Sequence, residues 1–527
     1  MDLVKTHNLL PEGVSTTDAR SIEFATEVIN CLPYEPNDEQ MELLAAFAHF
    51  MLYGHPQAVM LVNGYAGTGK TSMIGGIVKA LTCRGRKTVL LAPTGRAAKV
   101  FTEYSGHTAY TIHRKIYRQN SYLSDGFSLA ENKHTDTIFI VDEASMISNS
   151  SEGSFFGTGR LLDDLIHYVY SGIGCRLVLM GDVAQLPPVG QSESPALNAE
   201  FLRSYALQIY SVNLKQIARQ AAESGILFNA TILRNVMESG VLCAPKLELL
   251  RFDDIDNVTG EFLLETISDS YDRDGMSETI VVTRSNKRAT LFNRGIRNSI
   301  LYREDELVSD DMLLVSKNNY YWANDYEQID FIANGDVVRV KRVWGEIERR
   351  YGLDFANVTV EFPDHGNTEM DVKIILNCLS SDTPALTAAQ SEMLYTSVMA
   401  ELTGDKRTRY RELKKNPYFN ALQVKYAYAI TCHKAQGGQW QNVFIDMGAI
   451  MPDAFTQLDF YRWLYTAITR ARSQVYLINC PLDTDMSSFL SLRVNRSTSW
   501  RVGADGTEKI NTCLIHCNRI KQVFLFF

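Results

Sequence analysis

The chain has 527 residues, 45% hydrophobic and 21% charged, a balance that suits a folded protein and a length that exceeds one hydrophobic core. No apolar run approaches the ~18–20 residues of a membrane-crossing helix, and the opening MDLVKTHNLLPEG has no basic-then-apolar leader pattern. The net charge of −9 argues against an all-over basic surface, though a local basic track can still hold nucleic acid. Nine dispersed cysteines, of which only Cys513 and Cys517 lie close together, point to reduced thiols and a cytoplasmic setting, with no membrane partner.

Residues 1–36 read as a polar lead-in. PNDEQMELLAAFAHFML (36–52) reads as an amphipathic helix with Asn37 as N-cap. Near-continuous apolar runs follow at 58–64, 87–93, 137–143 and 175–182, separated by helical stretches at about 70–83, 96–104 and 160–171. Such runs suit parallel strands covered on both faces, so a doubly wound α/β domain is expected. A second set at 211–217, 278–284, 442–447 and 474–480 predicts a second α/β domain. Between them, NGDVVRVKRV and NVTVEF read as short antiparallel strands, followed by a polar helical arm with Lys406, Arg407, Arg409, Arg411, Lys414 and Lys415. The expected division is a lead-in at 1–36, a first domain at 37–205, a second at 206–332 with 425–482, an insertion at 333–424 and a patternless tail at 483–527.

GYAGTGKT (64–71) fits GxxxxGKT between a strand and a helix, the setting of a phosphate-binding loop. Gly64, Gly67 and Gly69 let backbone N–H groups approach phosphates, and the helix start adds partial positive charge. Lys70 would reach the β- and γ-phosphates, and the Thr71 hydroxyl would bind Mg²⁺. IFIVDEAS (138–145) ends a strand in two carboxylates. Asp142 would hold Mg²⁺ through water, and Glu143 would polarise an attacking water. LVLMGDVAQLPPVG (177–190) ends another such strand, which should turn Asp182 and Gln185 to the same ligand side. An amide there can bond both phosphate and water, and Pro187 and Pro188 would stiffen the exit from the strand. Phosphoryl transfer also needs positive charge from outside the loop. Arg219 in NLKQIARQ and Arg470 in YTAITRAR are the candidates, both assigned to the second domain.

Taken in order, NGYAGTGKT, LLAPTGRAAKV, IVDEASMI, MGDVAQLPPVG, LKQIARQ and YAITCHKAQGGQWQNVFID with LYTAITRAR resemble superfamily 1B helicases of the RecD/Dda-like group, over roughly residues 37–480. The resemblance implies an α/β fold of two RecA-like domains, an inserted SH3-like β-barrel, and a β-hairpin pin within about 114–136. It implies ATP and Mg²⁺ as cofactors, with Arg219 and Arg470 as γ-phosphate contacts and Gln185 as the coupling residue. The implied nucleotide set is Gln40, Gly64, Ala66, Gly67, Thr68, Gly69, Lys70, Thr71, Ser72, Gly437 and Gln439. Gln40 has an alternative role, since it stands at N3 and can close a capping box with Asn37. Gln439 is a departure, because the family often has Glu there. The implied DNA track is Pro93, Thr94, Gly95, Arg96, Thr111, His113, Thr431, His433 and Lys434, with Tyr122 or Phe127 stacking on the last base pair from the pin. A monomeric motor on single-stranded and forked DNA, moving 5′→3′ and serving replication or recombination partners, is what the family would predict. An RNA-directed helicase, or an ATP-switched clamp that unwinds nothing, stays open.

Overall fold

The computed structural model describes residues 19–119, 127–150, 157–217, 223–326, 329, 331–448, 450 and 452–481. A six-stranded parallel sheet runs in the spatial order Ala109–Thr111, Lys87–Ala92, Thr137–Val141, Arg176–Gly181, Ala58–Gly64, Gln208–Leu214. Every residue of Ala58–Gly64 is buried, because both faces of this strand are covered. Met60 and Val62 enter one core with Phe47, Ile74 and Ile77, while Val59 and Leu61 enter the other with Leu165 and Val169. A strand flanked by helices on both sides must be apolar at every position, which is why the run lacks alternation.

Two expectations need correction. The strand Gln208–Leu214 pairs in parallel with Ala58–Gly64, so it closes the first sheet instead of opening the second domain. An apolar run identifies a buried strand but not the neighbour that buries it. Part of the lead-in is also structural: helix Ala19–Asn30 buries Phe24 and Val28, with the Phe24 ring stacked 5.9 Å from Phe47.

The second sheet is parallel in the order Ala429–Thr431, Thr279–Thr283, Trp440–Asp446, Ala471–Ile478, Ile255–Val258. The sequence pattern misses Ile255–Val258 and Ala429–Thr431, which are too short to show a period. The insertion is a closed five-stranded barrel of Met312–Val315, Val337–Arg350, Leu353–Phe362, Thr368–Ile375 and Leu422–Tyr426. Its first strand lies well before residue 333, so the insertion starts earlier than the pattern suggests. The arm helices Ala388–Glu401 and Lys406–Lys414 bury Leu394, Val398 and Leu413 against Leu353, Phe355 and Ile375 at one end of the barrel.

The barrel shares one core with the second sheet: Leu313, Val338, Val358 and Ile374 pack in one cluster with Val281, Phe444 and Ile478. At the junction Asp311 is fully buried and pairs with Arg297 at 3.0 Å and Arg303 at 2.7 Å. It also accepts from the Tyr428 hydroxyl and the Val308 N–H, both at 2.9 Å. Removing one member of such a group strands the others without compensation. Asp311→Ala is expected to cost about 3–5 kcal/mol in denaturant unfolding, a loss that Asp311→Asn should partly restore because the amide oxygen still accepts.

Candidate functional site at the seam of the two domains

The phosphate loop leaves strand Ala58–Gly64 and enters helix Lys70–Cys83. Gly67 and Gly69 sit at φ of +75° and +77°, where a side chain is strained. Thr68 is buried, and its hydroxyl donates to the Tyr65 carbonyl at 2.8 Å. Gln40 closes the capping box with Asn37 and also donates to the Thr68 carbonyl at 2.9 Å. One amide therefore fixes both a helix start and the loop. The Lys70 ammonium donates to the carbonyls of Gly64 and Tyr65, the latter at 3.0 Å.

The second domain closes over this loop. The Tyr65 hydroxyl donates to Glu238 at 2.7 Å, and the Arg234 guanidinium lies 4.6 Å from the Tyr65 ring. The Ala66 N–H donates to the Tyr465 hydroxyl at 2.9 Å. Between the domains lies a cleft of about 340 Å³ lined by Ala66, Gly67, Gly69, Lys70, Thr71 and Ser72 from the loop. Asp142, Glu143, Asp182, Gln185, Gly437, Gln439 and Arg470 are also among the lining residues.

Three carboxylates meet there. The Glu143 N–H donates to Asp142 at 2.8 Å, and Glu143 itself takes a left-handed φ of +51°. Burial, and next the Glu143 charge, push the Asp142 carboxyl up to about 7. Burial likewise raises Asp182, against the pull of Lys70 and of the Tyr465 hydrogen bond. Arg470 is 3% exposed and reaches Glu143 at 3.5 Å. It is held by the carbonyls of Thr466 at 3.1 Å and Gly438 at 3.4 Å. Asp142 and Thr71 offer oxygen donors on the same wall, the kind of set that suits a hard divalent cation. Gln185 is buried, and its side-chain oxygen has no hydrogen-bond partner. Such an atom has a place for a ligand group or water. Gln439 accepts from the Tyr104 hydroxyl at 3.2 Å and from Arg472 at 3.1 Å. Gly437 has φ +73°, and a Cβ there would stand 2.8 Å from Ala97 of the first domain. Arg219 lies outside the described residues.

A separate groove of about 590 Å³ lies between the first domain and the barrel. Gly95, Thr111 and Arg114 line one side, and Asp336, Asp364, His365 and Gly366 the other. Pro93 and Thr94 follow the strand Lys87–Ala92, and Thr94 and Thr111 cap helices by accepting from Ala97 and Arg114, each at 3.2 Å. The barrel turn Pro363–His365 reaches across, with Lys99 paired to Asp364 at 3.2 Å. Thr431, His433 and Lys434 lie on the second domain outside this lining. Burial lowers the Lys434 ammonium to about 8.

Three expected strand contacts are engaged elsewhere. Arg96 stacks 4.0 Å over the Trp440 ring of the second domain, because a guanidinium beside an indole gains more there than in open solvent. His113 packs 5.7 Å from Tyr117 and 6.2 Å from Phe331, and burial drops its pKa to about 4. The hairpin itself pairs Tyr117–Gln119 with Phe127–Leu129. Phe127, opposite Gln119, belongs to the described pair nearest the turn, and its ring lies 4.7 Å from that of Tyr320. Tyr122 lies outside the described residues. Tyr65, Tyr104 and Arg472 line the cleft, and Tyr465 stands behind it on the Ala66 N–H; sequence reasoning missed all four. Tyr465 stands within YTAITRAR, but a tyrosine inside an apolar helix reads as core.

The geometry defines a phosphate-loop protein of two RecA-like domains with a barrel inserted in the second. The family model described as AAA domain matches residues 35–235, and that described as UvrD-like helicase C-terminal domain matches residues 426–478. An uncharacterized protein of Methanocaldococcus jannaschii is 24% identical over 83% of this chain and 38% of its own length. The ATP-dependent RecD2 DNA helicase of Deinococcus radiodurans is 25% identical over 84% of this chain and 48% of its own length. The ATP-dependent DNA helicase dda of Enterobacteria phage T4 is 24% identical over 79% of this chain and 93% of its own length. The chain thus spans less than half of the first two relatives. A solved Pif1 helicase from Bacteroides is 16% identical with a TM-score of 0.42, over 88% of this chain and 98% of that one. In these motifs and over most of its length the chain is similar to helicases of the RecD/Dda type.

Asp142 tests the electrostatics directly. Asp142→Asn keeps the acceptor for the Glu143 N–H and removes one of three converging negative charges. In EDTA at pH 8 the variant is expected to be more stable than the parent by about 1 kcal/mol in urea unfolding, and with ATP and Mg²⁺ in place of EDTA its hydrolysis should be lost.

Proposed function

We propose that the chain is an ATP-driven motor that moves along single-stranded DNA, 5′→3′, and separates the strands of a duplex ahead of it. One observation carries the reading: Arg470, from the second domain, reaches Glu143 at the mouth of the first domain's phosphate loop. A nucleotide bound on the loop would then lie between residues of both domains, so its loss would loosen the seam.

In this reading the Lys70 ammonium leaves the carbonyls of Gly64 and Tyr65 and turns to the β- and γ-phosphates. Glu143 accepts a hydrogen bond from the attacking water and takes its proton. Arg470, with Arg219, neutralises charge that builds on the γ-phosphate oxygens. Thr71 and Asp142 would hold Mg²⁺, which supplies charge neutralisation between the β- and γ-phosphates when bound. The free side-chain oxygen of Gln185 takes a bond when water or phosphate is present and loses it on release. Gln439 faces the ribose, and Gln40 keeps the phosphate loop in place through the Thr68 carbonyl. The first domain grips the strand at Pro93, Thr94, Gly95 and Thr111, and the second at Thr431, His433 and Lys434. The pin, from Tyr117 to Leu129, parts the duplex, and the motor works as a monomer.

Two duplexes, one with a 5′ and one with a 3′ single-stranded tail, test this with purified protein, ATP and Mg²⁺. Only the 5′-tailed duplex should open. Lys70→Ala and Glu143→Gln should each lower strand separation and ATP hydrolysis by about 10²-fold or more. Opening of the 3′-tailed duplex alone would reverse the polarity. DNA-stimulated hydrolysis with neither duplex opened would leave a clamp, and stimulation by RNA alone would change the substrate.

A further inference from the structure

Helix Leu458–Ile468 of the second domain grips the segment that follows Asp182 at three points on one helical face. Arg462 donates to the Ser192 carbonyl at 2.7 Å, Tyr465 donates to Asp182 at 2.6 Å, and Thr466 accepts from the Leu186 N–H at 2.9 Å. The spacing of three and four residues puts these side chains on one stripe. Tyr465 differs from the other two because it also touches the phosphate loop. Its hydroxyl is buried, accepts from the Ala66 N–H at 2.9 Å and donates to Asp182 at 2.6 Å. Asp182 spends its other oxygen on the Ala184 N–H at 2.9 Å. A phenol can accept and donate at once, so this one group spans the loop and the neighbouring strand end.

The same residue sets the end of its own helix. The Tyr465 carbonyl accepts from the Thr469 N–H at 3.1 Å and from the Thr469 hydroxyl at 2.9 Å. Arg470 follows directly and is held by the Thr469 hydroxyl at 3.3 Å. A shift of Tyr465 therefore carries Arg470 with it.

We propose that Tyr465 is a positioning residue of the ATPase: its hydroxyl ties the phosphate loop to Asp182 and thereby sets the placement of Arg470 against the reacting phosphate. The inference rests on the ATPase reading above. Loss of the hydroxyl leaves the Ala66 N–H and the Asp182 carboxylate without their shared partner, both in a buried seam. It leaves the surfaces that face base and ribose untouched. The expected signature is thus a loss of turnover with nucleotide binding retained.

The test uses the full chain with Tyr465→Phe, and with Tyr461→Phe as control. Tyr461 stands one turn earlier on the same helix, is buried, and donates to the Cys243 carbonyl away from the cleft. Tyr465→Phe should lower DNA-stimulated kcat about 10-fold or more and change KM for ATP less than about threefold. Tyr461→Phe should leave both near the parent values. Adding Asp182→Asn to Tyr465→Phe should cost little beyond the larger single loss, since both act through one bond. Independently of turnover, the Ala66 amide should exchange with deuterium about tenfold faster in Tyr465→Phe than in the parent. A kcat within twofold of the parent, an equal loss in Tyr461→Phe, multiplying losses in the double variant, or unchanged Ala66 exchange would each overturn the proposal. A parent protein whose ATP hydrolysis does not depend on Lys70 would instead overturn the ATPase reading, whatever the amide exchange shows.

Discussion

The structure turns on the convergence of three carboxylates at the domain seam. Asp142, Glu143 and Asp182 converge on a cleft that Lys70, Arg470 and Arg472 also line. Burial, and next the neighbouring Glu143 charge, push the carboxyl of Asp142 up to about 7. The fold creates this convergence in two steps. Parallel strands Ala58–Gly64, Thr137–Val141 and Arg176–Gly181 all end on one side of the sheet, so their loops meet there. The first domain contributes Lys70 as its cation, and Arg470 comes from the helix end that the second domain presses onto the seam. The site is complete only when the domains are together, because Arg470 reaches Glu143 from the second domain.

Most of this was legible in the chain as residue types at fixed places. GYAGTGKT, VDEA and GDVAQLPP each end a buried apolar run, and strand-end chemistry follows from that alone. The positive φ of Gly67 and Gly69 and the left-handed turn at Glu143 belong to the same signals. What the pattern could not carry was partnership. An edge strand such as Gln208–Leu214 looks the same whichever sheet adopts it. Arg96 and Phe127 have the right chemistry for a nucleic-acid contact, yet Trp440 and Tyr320 lie closer in space. Tyr465 failed to register for the opposite reason. Its ring is core by every periodic criterion, and its function rests on one oxygen whose partners are 283 and 399 residues away in sequence.

The shared core of the barrel and the second sheet bears on how a strand would be held. Leu313, Val338 and Val358 are packed with Val281 and Phe444, so the barrel cannot swing from the second domain without opening that core. The barrel turn Pro363–His365 therefore moves with the domain that carries Arg470. The barrel's contact with the first domain joins a half-buried ion pair, Lys99 with Asp364, to apolar packing by the segment between the first two barrel strands, where Phe331 enters the first domain's core and Tyr320 lies against Phe127. Separation of the two α/β domains would lift the turn from Gly95 and the Thr111 helix start, and closure would return it. The cleft and the groove are thus two openings of one seam, and a change at the phosphate loop would be felt at the groove through the body that joins them.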